Sequence, residues 1–177
     1  GVALLLGFHF PQNFDRPYAA TSLRDFWRRW HMTLSRWLRD YLYVPLGGSR
    51  RGAARTYANL MLTMGLGGLW HGANWTFVLW GLLQGLGITF SHLTRKLRLP
   101  FTPPRWVLTV VTFHFITVLW VFFRAPDISA VARVITGPFV SPVGDLAGFA
   151  STHRFELILL LVFLASHRLD DHRRLRL

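Results

Sequence analysis

Residues 56–94 form an unbroken run of thirty-nine residues without Asp, Glu, Lys or Arg. A helix needs about 20 apolar residues to cross the hydrocarbon core of a bilayer, so this run is too long for one pass and fits a hairpin of two. Basic residues flank the run on both sides: Arg50, Arg51 and Arg55 before it, and Arg95, Lys96, Arg98 and Arg105 after it. Lys and Arg collect at the cytoplasmic ends of membrane helices, so both ends of the hairpin are predicted to lie in the cytoplasm.

The composition supports a membrane protein and excludes several other classes. The 177 residues are 51% hydrophobic and only 16% charged, which argues against a freely soluble globule and against disorder. Twenty Lys and Arg against eight Asp and Glu give a net charge of +12. Because these basic residues sit beside long uncharged runs, they indicate contact with lipid head groups, and no nucleic acid partner is expected. The absence of cysteine excludes disulfides, thiolate metal sites and cysteine nucleophiles.

Further apolar stretches complete the predicted topology. Residues 106–123 are uncharged and predict a span leading outward, and residues 155–167 predict a last span that returns to the cytoplasm. Residues 127–153 between them are expected to form an external loop with room for a short helix. Residues 1–10 begin inside an apolar run and are interpreted as the end of a truncated span. The predicted fold class is therefore all-α, a polytopic transmembrane helical protein.

Residues 22–43 predict one basic amphipathic helix. Ser22 followed by Asp25 fits a capping box, and Pro45 closes the element. Apolar residues recur at helical spacing and basic residues share the other side, namely Leu23, Trp27, Trp30, Leu34, Trp37, Leu38 and Tyr41 against Arg24, Arg28, Arg36 and Arg39. This composition is typical of a helix at the membrane surface, here on the cytoplasmic side.

The glycine-rich stretch at residues 65–72 predicts an early turn in the hairpin. A helix over residues 57–69 rises only about 20 Å, short of the hydrocarbon core, so the turn is predicted inside the membrane and His71 is expected to face a cavity there. An imidazole can take and return a proton near neutral pH. Composition alone supports a catalytic role and a packing or capping role for His71 equally. Asn74 is placed to orient the ring if the backbone stays helical.

Other candidate residues leave alternatives open. For His31, four residues after Trp27, the spacing favours an interfacial residue over a group that faces a cytoplasmic entrance. The arginine cluster fits either a lipid-facing surface or the phosphates of a nucleotide-linked or carrier-linked donor; its members are Arg24, Arg28, Arg29, Arg36 and Arg39. His114 lies within an apolar span, where a hydrogen bond to a backbone carbonyl explains it more simply than catalysis. No metal-ligand pattern occurs, so a metal site is not expected.

Six sequence blocks occur in an order and spacing that resemble a known family. They are FDRPY at 14–18, SLRDFWRRWHMTLS at 22–35, RDYLYVPLGGS at 39–49, GLWHGA at 68–73, WTFVLWG at 75–81 and WVFFRA at 120–125. Over roughly residues 7–126 the chain resembles the membrane-bound O-acyltransferases, within them the branch of alginate O-acetyltransferases. Members of this branch are longer, so the resemblance implies that residues 1–177 are the C-terminal part of one such domain and that the isolated fragment is inactive.

The resemblance implies a specific chemistry. His71 corresponds to the catalytic histidine and His31 to its usual second partner, and the donor is acetyl-CoA or another acyl thioester arriving from the cytoplasm. The expected reaction moves an acetyl group to hydroxyls of an exported polysaccharide such as alginate, or to an extracytoplasmic partner protein, from a multi-pass position in the bacterial inner membrane. Two alternatives remain: D-alanyl transfer to teichoic acid, and a non-catalytic membrane subunit of a polysaccharide-modification complex.

Overall fold

The structure is a computed structural model that describes residues 5–97, 103–140, 154 and 158. Within these residues the regular secondary structure is helical and no strand occurs, which confirms the predicted all-α class for this part of the chain. A 3-10 turn at Pro17–Ala19 is followed by α1 (Leu23–Arg29), α2 (Met32–Leu38), a π-helical turn (Arg39–Tyr43), α3 (Gly52–His71), α4 (Trp75–Leu97), α5 (Arg105–Arg124) and α6 (Ile128–Val140). The chain divides into two compact units, Gly1–Ile135 and Thr136–Leu177, and the first holds the features described below.

The segment 22–43 is broken at His31, so the prediction of one continuous helix is wrong. His31 lies between α1 and α2 and has a left-handed backbone with φ of 43°. Asn13 enters the break: its backbone carbonyl accepts a hydrogen bond from the Met32 N–H, and its side-chain oxygen accepts one from the Thr33 N–H, each at 2.9 Å. Because Asn13 satisfies these N–H groups, α2 begins as a new helix instead of continuing α1.

The helix α1 contributes to the core of the first unit. The Ser22 side chain accepts a hydrogen bond from the Asp25 N–H at 3.2 Å, which confirms the predicted cap at its start. The buried core draws on four helices, with Leu23, Phe26 and Trp27 from α1, Met64 from α3, Trp80 from α4, and Ile116 and Leu119 from α5. The apolar face that the sequence predicts for α1 is therefore the face that packs against the other helices.

The helices α3 and α4 form the hairpin predicted for residues 56–94, but its turn comes later than predicted. α3 continues through the glycine-rich stretch to His71, and its 20 residues rise about 30 Å. The prediction of a short first helix over residues 57–69 is therefore wrong, and the turn occupies residues 72–74. Gly65, Gly67 and Gly68 lie inside this helix, where Gly65 and Gly68 contact α4 and Gly67 contacts Leu38 of α2.

Close approach of α3 and α4 depends on Gly68 and Gly81. A Cβ on Gly68 would collide with the backbone carbonyl oxygen of Phe77, and a Cβ on Gly81 would collide with that of Met64. Small residues that let two helix backbones approach are typical of helix pairs in membranes. These two positions therefore require glycine for packing.

The helix α5 ends beside the turn of the hairpin. The Asn74 side-chain amide donates a hydrogen bond to the carbonyl of Pro126 at 2.8 Å, and the rings of Phe77 and Phe123 lie 5.1 Å apart. Since α3, α4 and α5 alternate in direction, their opposite ends lie together at the other end of the unit. Those opposite ends carry Arg55, Arg95, Lys96 and Arg105. One end of the helix group is thus strongly basic.

Two helices are long and apolar enough to cross a membrane. They cover Trp75–Lys96 and Arg105–Arg124, with mean hydropathies of 1.2 and 2.1. Only 28% and 17% of their apolar windows are buried within the described structure, whereas the core helix of a soluble protein is mostly buried. α3 is less apolar and carries three buried polar residues, Thr56, Asn59 and Thr63. The exposed apolar faces of α4 and α5 are suited to lipid or to further protein helices.

The segments outside this helix group are described only in part, and α6 agrees with the short helix allowed for residues 127–153. α6 occupies the first part of the predicted loop at 127–153, and Asp127 caps it by accepting a hydrogen bond from the Ala130 N–H at 2.7 Å. Hydrogen bonds from Ser129 and Ala130 hold the pKa of Asp127 below its ordinary value. Residues 8–10 are outside any helix. Of the predicted last span at 155–167, only residue 158 is described.

Candidate functional site

His71 is the last residue of α3, and the backbone leaves the helix at the next residue, Gly72. A Cβ on Gly72 would lie 2.7 Å from the ring of Phe77, so glycine is needed for the chain to turn beside α4. The His71 side chain is exposed, and neither ring nitrogen has a hydrogen-bond partner among the described residues. Both nitrogens are therefore available to a substrate.

Aromatic rings from three helices surround His71. The ring centroids of Trp70, Trp80 and Phe123 lie 5.1, 5.4 and 5.0 Å from that of the imidazole, and Phe77 lies at 6.3 Å. Trp70 belongs to α3, Trp80 and Phe77 to α4, and Phe123 to α5. The position of His71 is thus set by the packing of all three long helices.

A cavity of about 240 Å³ opens beside His71. Its wall is apolar and aromatic and includes Trp27, Leu38, Met64 and Trp80. Among its lining residues, His71 alone has an ionisable side chain. A reacting group in this cavity would meet a single proton acceptor in apolar surroundings.

A second cavity, of about 700 Å³, lies toward the basic end of the helices. Five arginines line it, Arg24, Arg28, Arg36, Arg39 and Arg95, together with His92. None of its lining residues is acidic, although Arg39 is paired with the neighbouring Asp40 at 2.7 Å. Guanidinium groups match phosphate geometry, so this cavity is suited to a phosphate-bearing ligand.

The positive charges that line this cavity are close enough to repel one another. Burial lowers the pKa of the Arg24 guanidinium, and the positive charges of Arg28 and Arg95 lower it further. A bound anion would relieve this repulsion. Arg29, the remaining member of the predicted cluster, does not line the cavity, because its Nε donates to Asp25 Oδ1 at 3.0 Å.

His31 lies at the break between α1 and α2 and lines neither cavity. Its ring centroid is 6.0 Å from that of Phe14, and its Nδ1 is buried without a hydrogen-bond partner among the described residues. His31 and His71 therefore do not share a cavity wall.

Two other sequence candidates have structural roles in the described residues. Asn74 does not orient His71, because the helix ends before it; its side chain accepts from the Thr76 N–H at 3.1 Å and donates to the Pro126 carbonyl. His114 Nδ1 lies 2.8 Å from the Val110 carbonyl of its own helix. Catalysis is not needed to explain either residue.

The structure adds residues that sequence reasoning did not single out. Arg95 and His92 of α4 also line the arginine-lined cavity. The sequence indicated Arg95 indirectly, because both flanks of residues 56–94 are basic and are predicted to lie on the same side of the membrane. The sequence did not indicate which aromatic residues surround His71, because Phe77 and Phe123 resemble any other apolar residue of a span. Only the packing of three helices brings them together.

This arrangement, an apolar cavity with one histidine beside an arginine-lined cavity, occurs in a chain with membrane-type helices. Residues 1–125 match the model of the membrane-bound O-acyltransferase family. The chain belongs to this family.

Relatives of known name show which members of the family this chain is similar to. The chain is similar to the peptidoglycan O-acetyltransferase of Helicobacter pylori, with 47% identity over 77% of this chain and 26% of that protein. It is also similar to the probable alginate O-acetylase AlgI of Azotobacter vinelandii, with 48% identity over 78% of this chain and 28% of that protein. The teichoic acid D-alanyltransferase of Bacillus subtilis shares 33% identity over 66% of this chain and 33% of its own length. The chain thus spans about a quarter of the length of the first two relatives.

Proposed function

We propose that this chain carries the catalytic part of a membrane O-acyltransferase and that His71 is its catalytic residue. The observation that supports this most directly is the position of His71 on an apolar cavity next to a cavity lined by five arginines. In the proposed reaction the acceptor oxygen attacks the thioester carbonyl carbon while His71 takes the hydroxyl proton. The carbon–sulfur bond then breaks, the ester stays on the acceptor, and the thiol leaves with the proton.

The donor proposed for the arginine-lined cavity is an acyl thioester whose carrier bears phosphate, of which acetyl-CoA is the simplest. Arg24, Arg28 and Arg95 would hold the phosphates, and their mutual repulsion in the described structure favours an anionic ligand. The thioester end would then extend toward His71. His31 is proposed as the second residue of the site.

An acetyl group is proposed as the acyl group, and an exported cell-envelope polysaccharide such as alginate, or an extracytoplasmic partner protein, as the acceptor. The relatives named for O-acetyl transfer share 47–48% identity with this chain, whereas the relative named for D-alanyl transfer shares 33%. D-alanyl transfer to teichoic acid is therefore the second candidate. A non-catalytic membrane subunit is the third candidate.

We also propose that the chain is a multi-pass part of one larger domain in the bacterial inner membrane. The 39-residue uncharged run, the basic end of the helix group and the exposed apolar faces of α4 and α5 support this placement. Because the chain spans about a quarter of its relatives, the isolated fragment is proposed to be inactive and is best tested within the full-length protein.

The test is replacement of His71 in the full-length protein. His71→Ala is expected to lower acetyl incorporation into the polysaccharide by at least about 100-fold, because a positioned general base contributes that much or more. His114→Ala is the matched control, since His114 is a histidine of the same helix group that bonds only within its own helix. Near-normal incorporation by His71→Ala, at matched protein levels in the membrane, would overturn the proposal.

A further inference from the structure

Three residues are shared by the walls of the two cavities. Trp27 of α1, Leu38 of α2 and Met64 of α3 line both the arginine-lined cavity and the His71 cavity. A side chain that lines two cavities lies at their boundary. The shared set is almost fully buried, with exposures of 9%, 7% and 7%. These three side chains therefore form the partition between a polar space and an apolar one.

The indole of Trp27 is held in place by Gln84 of α4. The Trp27 Nε1–H donates a hydrogen bond to Gln84 Oε1 at 3.1 Å, in a fully buried setting. Edge-to-face contacts with Phe26 and Trp80, each with ring centroids 6.0 Å apart, support the same orientation. A buried donor that loses its acceptor carries the full penalty of desolvation, so this hydrogen bond favours one orientation of the indole.

Gln84 is unusual for its position. Its side chain is completely buried in an apolar helix, and its Nε2 has no hydrogen-bond partner among the described residues. An apolar residue of similar size would bring no unsatisfied amide nitrogen into the core, but it would leave the Trp27 Nε1–H without its acceptor. The interaction that Gln84 makes in the described structure is the one that fixes Trp27.

We propose that Trp27, positioned by Gln84, seals the His71 cavity against water from the arginine-lined cavity while the thioester arm of the donor passes between Trp27, Leu38 and Met64. This rests on the proposed function. Water that reached His71 would release the acyl group as a free acid, whereas the acceptor hydroxyl forms the ester. Gln84 is thus a positioning residue that favours transfer over hydrolysis.

The first test measures the ratio of hydrolysis to transfer in membranes that contain the full-length protein. Acetyl-CoA with a labelled acetyl group is the donor and an alginate oligosaccharide the acceptor; both reactions release thiol, but only transfer labels the oligosaccharide. Gln84→Leu is expected to raise the ratio about fivefold, the factor that one ordinary hydrogen bond is worth. Gln84→Glu retains an acceptor for the indole N–H and is expected to keep the parent ratio.

A second measurement does not depend on the donor. The chain has no cysteine, and a Cβ at Gly67, in the wall of the His71 cavity, makes only ordinary contacts with Leu38. In the Gly67→Cys variant of a full-length protein without other cysteines, a small charged thiol reagent added from the arginine-lined side reports passage across the partition. Addition of Gln84→Leu is expected to raise the modification rate about fivefold.

The controls separate this inference from the proposed function and from loss of stability. Thr76→Val alters another fully buried polar residue of α4 that lines neither cavity, and it is expected to leave both readouts unchanged. If Gln84→Leu behaves like Thr76→Val in both measurements, the seal is refuted while the role of His71 stands. If acetyl-CoA gives no transfer in the parent protein, the proposed donor is refuted, and the cysteine modification rate alone decides the seal.

Discussion

Neighbouring residues of one helix have different chemical tasks in this protein. Arg28 and Arg29 are adjacent in α1, yet Arg28 lines the arginine-lined cavity and Arg29 is paired with Asp25 one turn earlier. A helix turns by about 100° per residue, so adjacent side chains face different surroundings. The amino-acid type alone does not distinguish the two.

This difference gives a prediction at the scale of one residue. Arg28→Gln in the full-length protein is expected to raise the KM for the acyl thioester about tenfold with a smaller change in kcat, because a hydrogen bond from a charged group to phosphate is lost. Arg29→Gln is the matched control and is expected to change KM less than twofold, the small effect typical of a surface ion pair. Steady-state kinetics with acetyl-CoA measure both. Equal changes in the two variants would contradict a phosphate-binding role for the cavity.

At the scale of helices, glycine acts in this fold by allowing contact. The stretch 65–72 has the composition of a turn, but α3 continues through it to His71, and Gly65 and Gly68 pack against α4. The backbone of α3 at Gly68 touches that of α4 at Phe77 and Gly81. This contact sets the positions of His71 at the end of α3 and Trp80 in α4.

Gly68 and Gly67 allow a matched test of this packing. Gly68→Ala is expected to destabilise the protein by about 1–3 kcal/mol, because the new Cβ collides with the Phe77 carbonyl, a backbone atom that cannot move independently. Gly67→Ala places its Cβ in ordinary contact with Leu38 and is expected to be neutral or stabilising by up to about 1 kcal/mol, since alanine favours helix. Thermal unfolding in detergent measures both variants. Equal stability of the two would show that α3 and α4 do not approach as closely as described.

At the scale of the whole molecule, the distribution of charge and the packing of the helices indicate the same orientation of the helix group in the membrane. The helices α3, α4 and α5 alternate, and the ends that carry Arg55, Arg95 and Arg105 lie opposite the end that holds His71 and Asn74. His71 lies beside Phe123, the residue before Arg124, so it is level with the last turn of α5. The catalytic site is thus proposed to lie near the non-cytoplasmic end of the apolar layer, with the arginine-lined cavity near the cytoplasmic end.

Single cysteines test this topology, because the chain has none of its own. In a full-length protein without other cysteines, Ser49→Cys and Pro103→Cys are expected to react with an impermeant maleimide only from the cytoplasmic side, and Ala125→Cys only from the opposite side. A permeant maleimide serves as the control for intrinsic reactivity. Reaction of Ser49→Cys and Pro103→Cys from opposite sides would contradict the hairpin, since its two flanks would then lie across the membrane.

The sequence by itself determined the class of the fold, the extent of α5 and the identity of the main candidate residue. The uncharged run 106–123, bounded by Arg105 and Arg124, defines α5 because apolar length is a local property of the chain. The cap at Ser22 is likewise local, since donor and acceptor are three residues apart. The block around His71 carried the family resemblance without any knowledge of its contacts.

Only the tertiary structure decided where helices break and which side chains meet. The break at His31 depends on Asn13, almost twenty residues earlier, and the rings around His71 come from three helices. The pairing of Trp27 with Gln84 joins residues fifty-seven positions apart. Such contacts arise from packing between segments that are distant in sequence. The periodicity of one segment shows which of its faces is apolar, but it does not show which residues of another segment pack against that face.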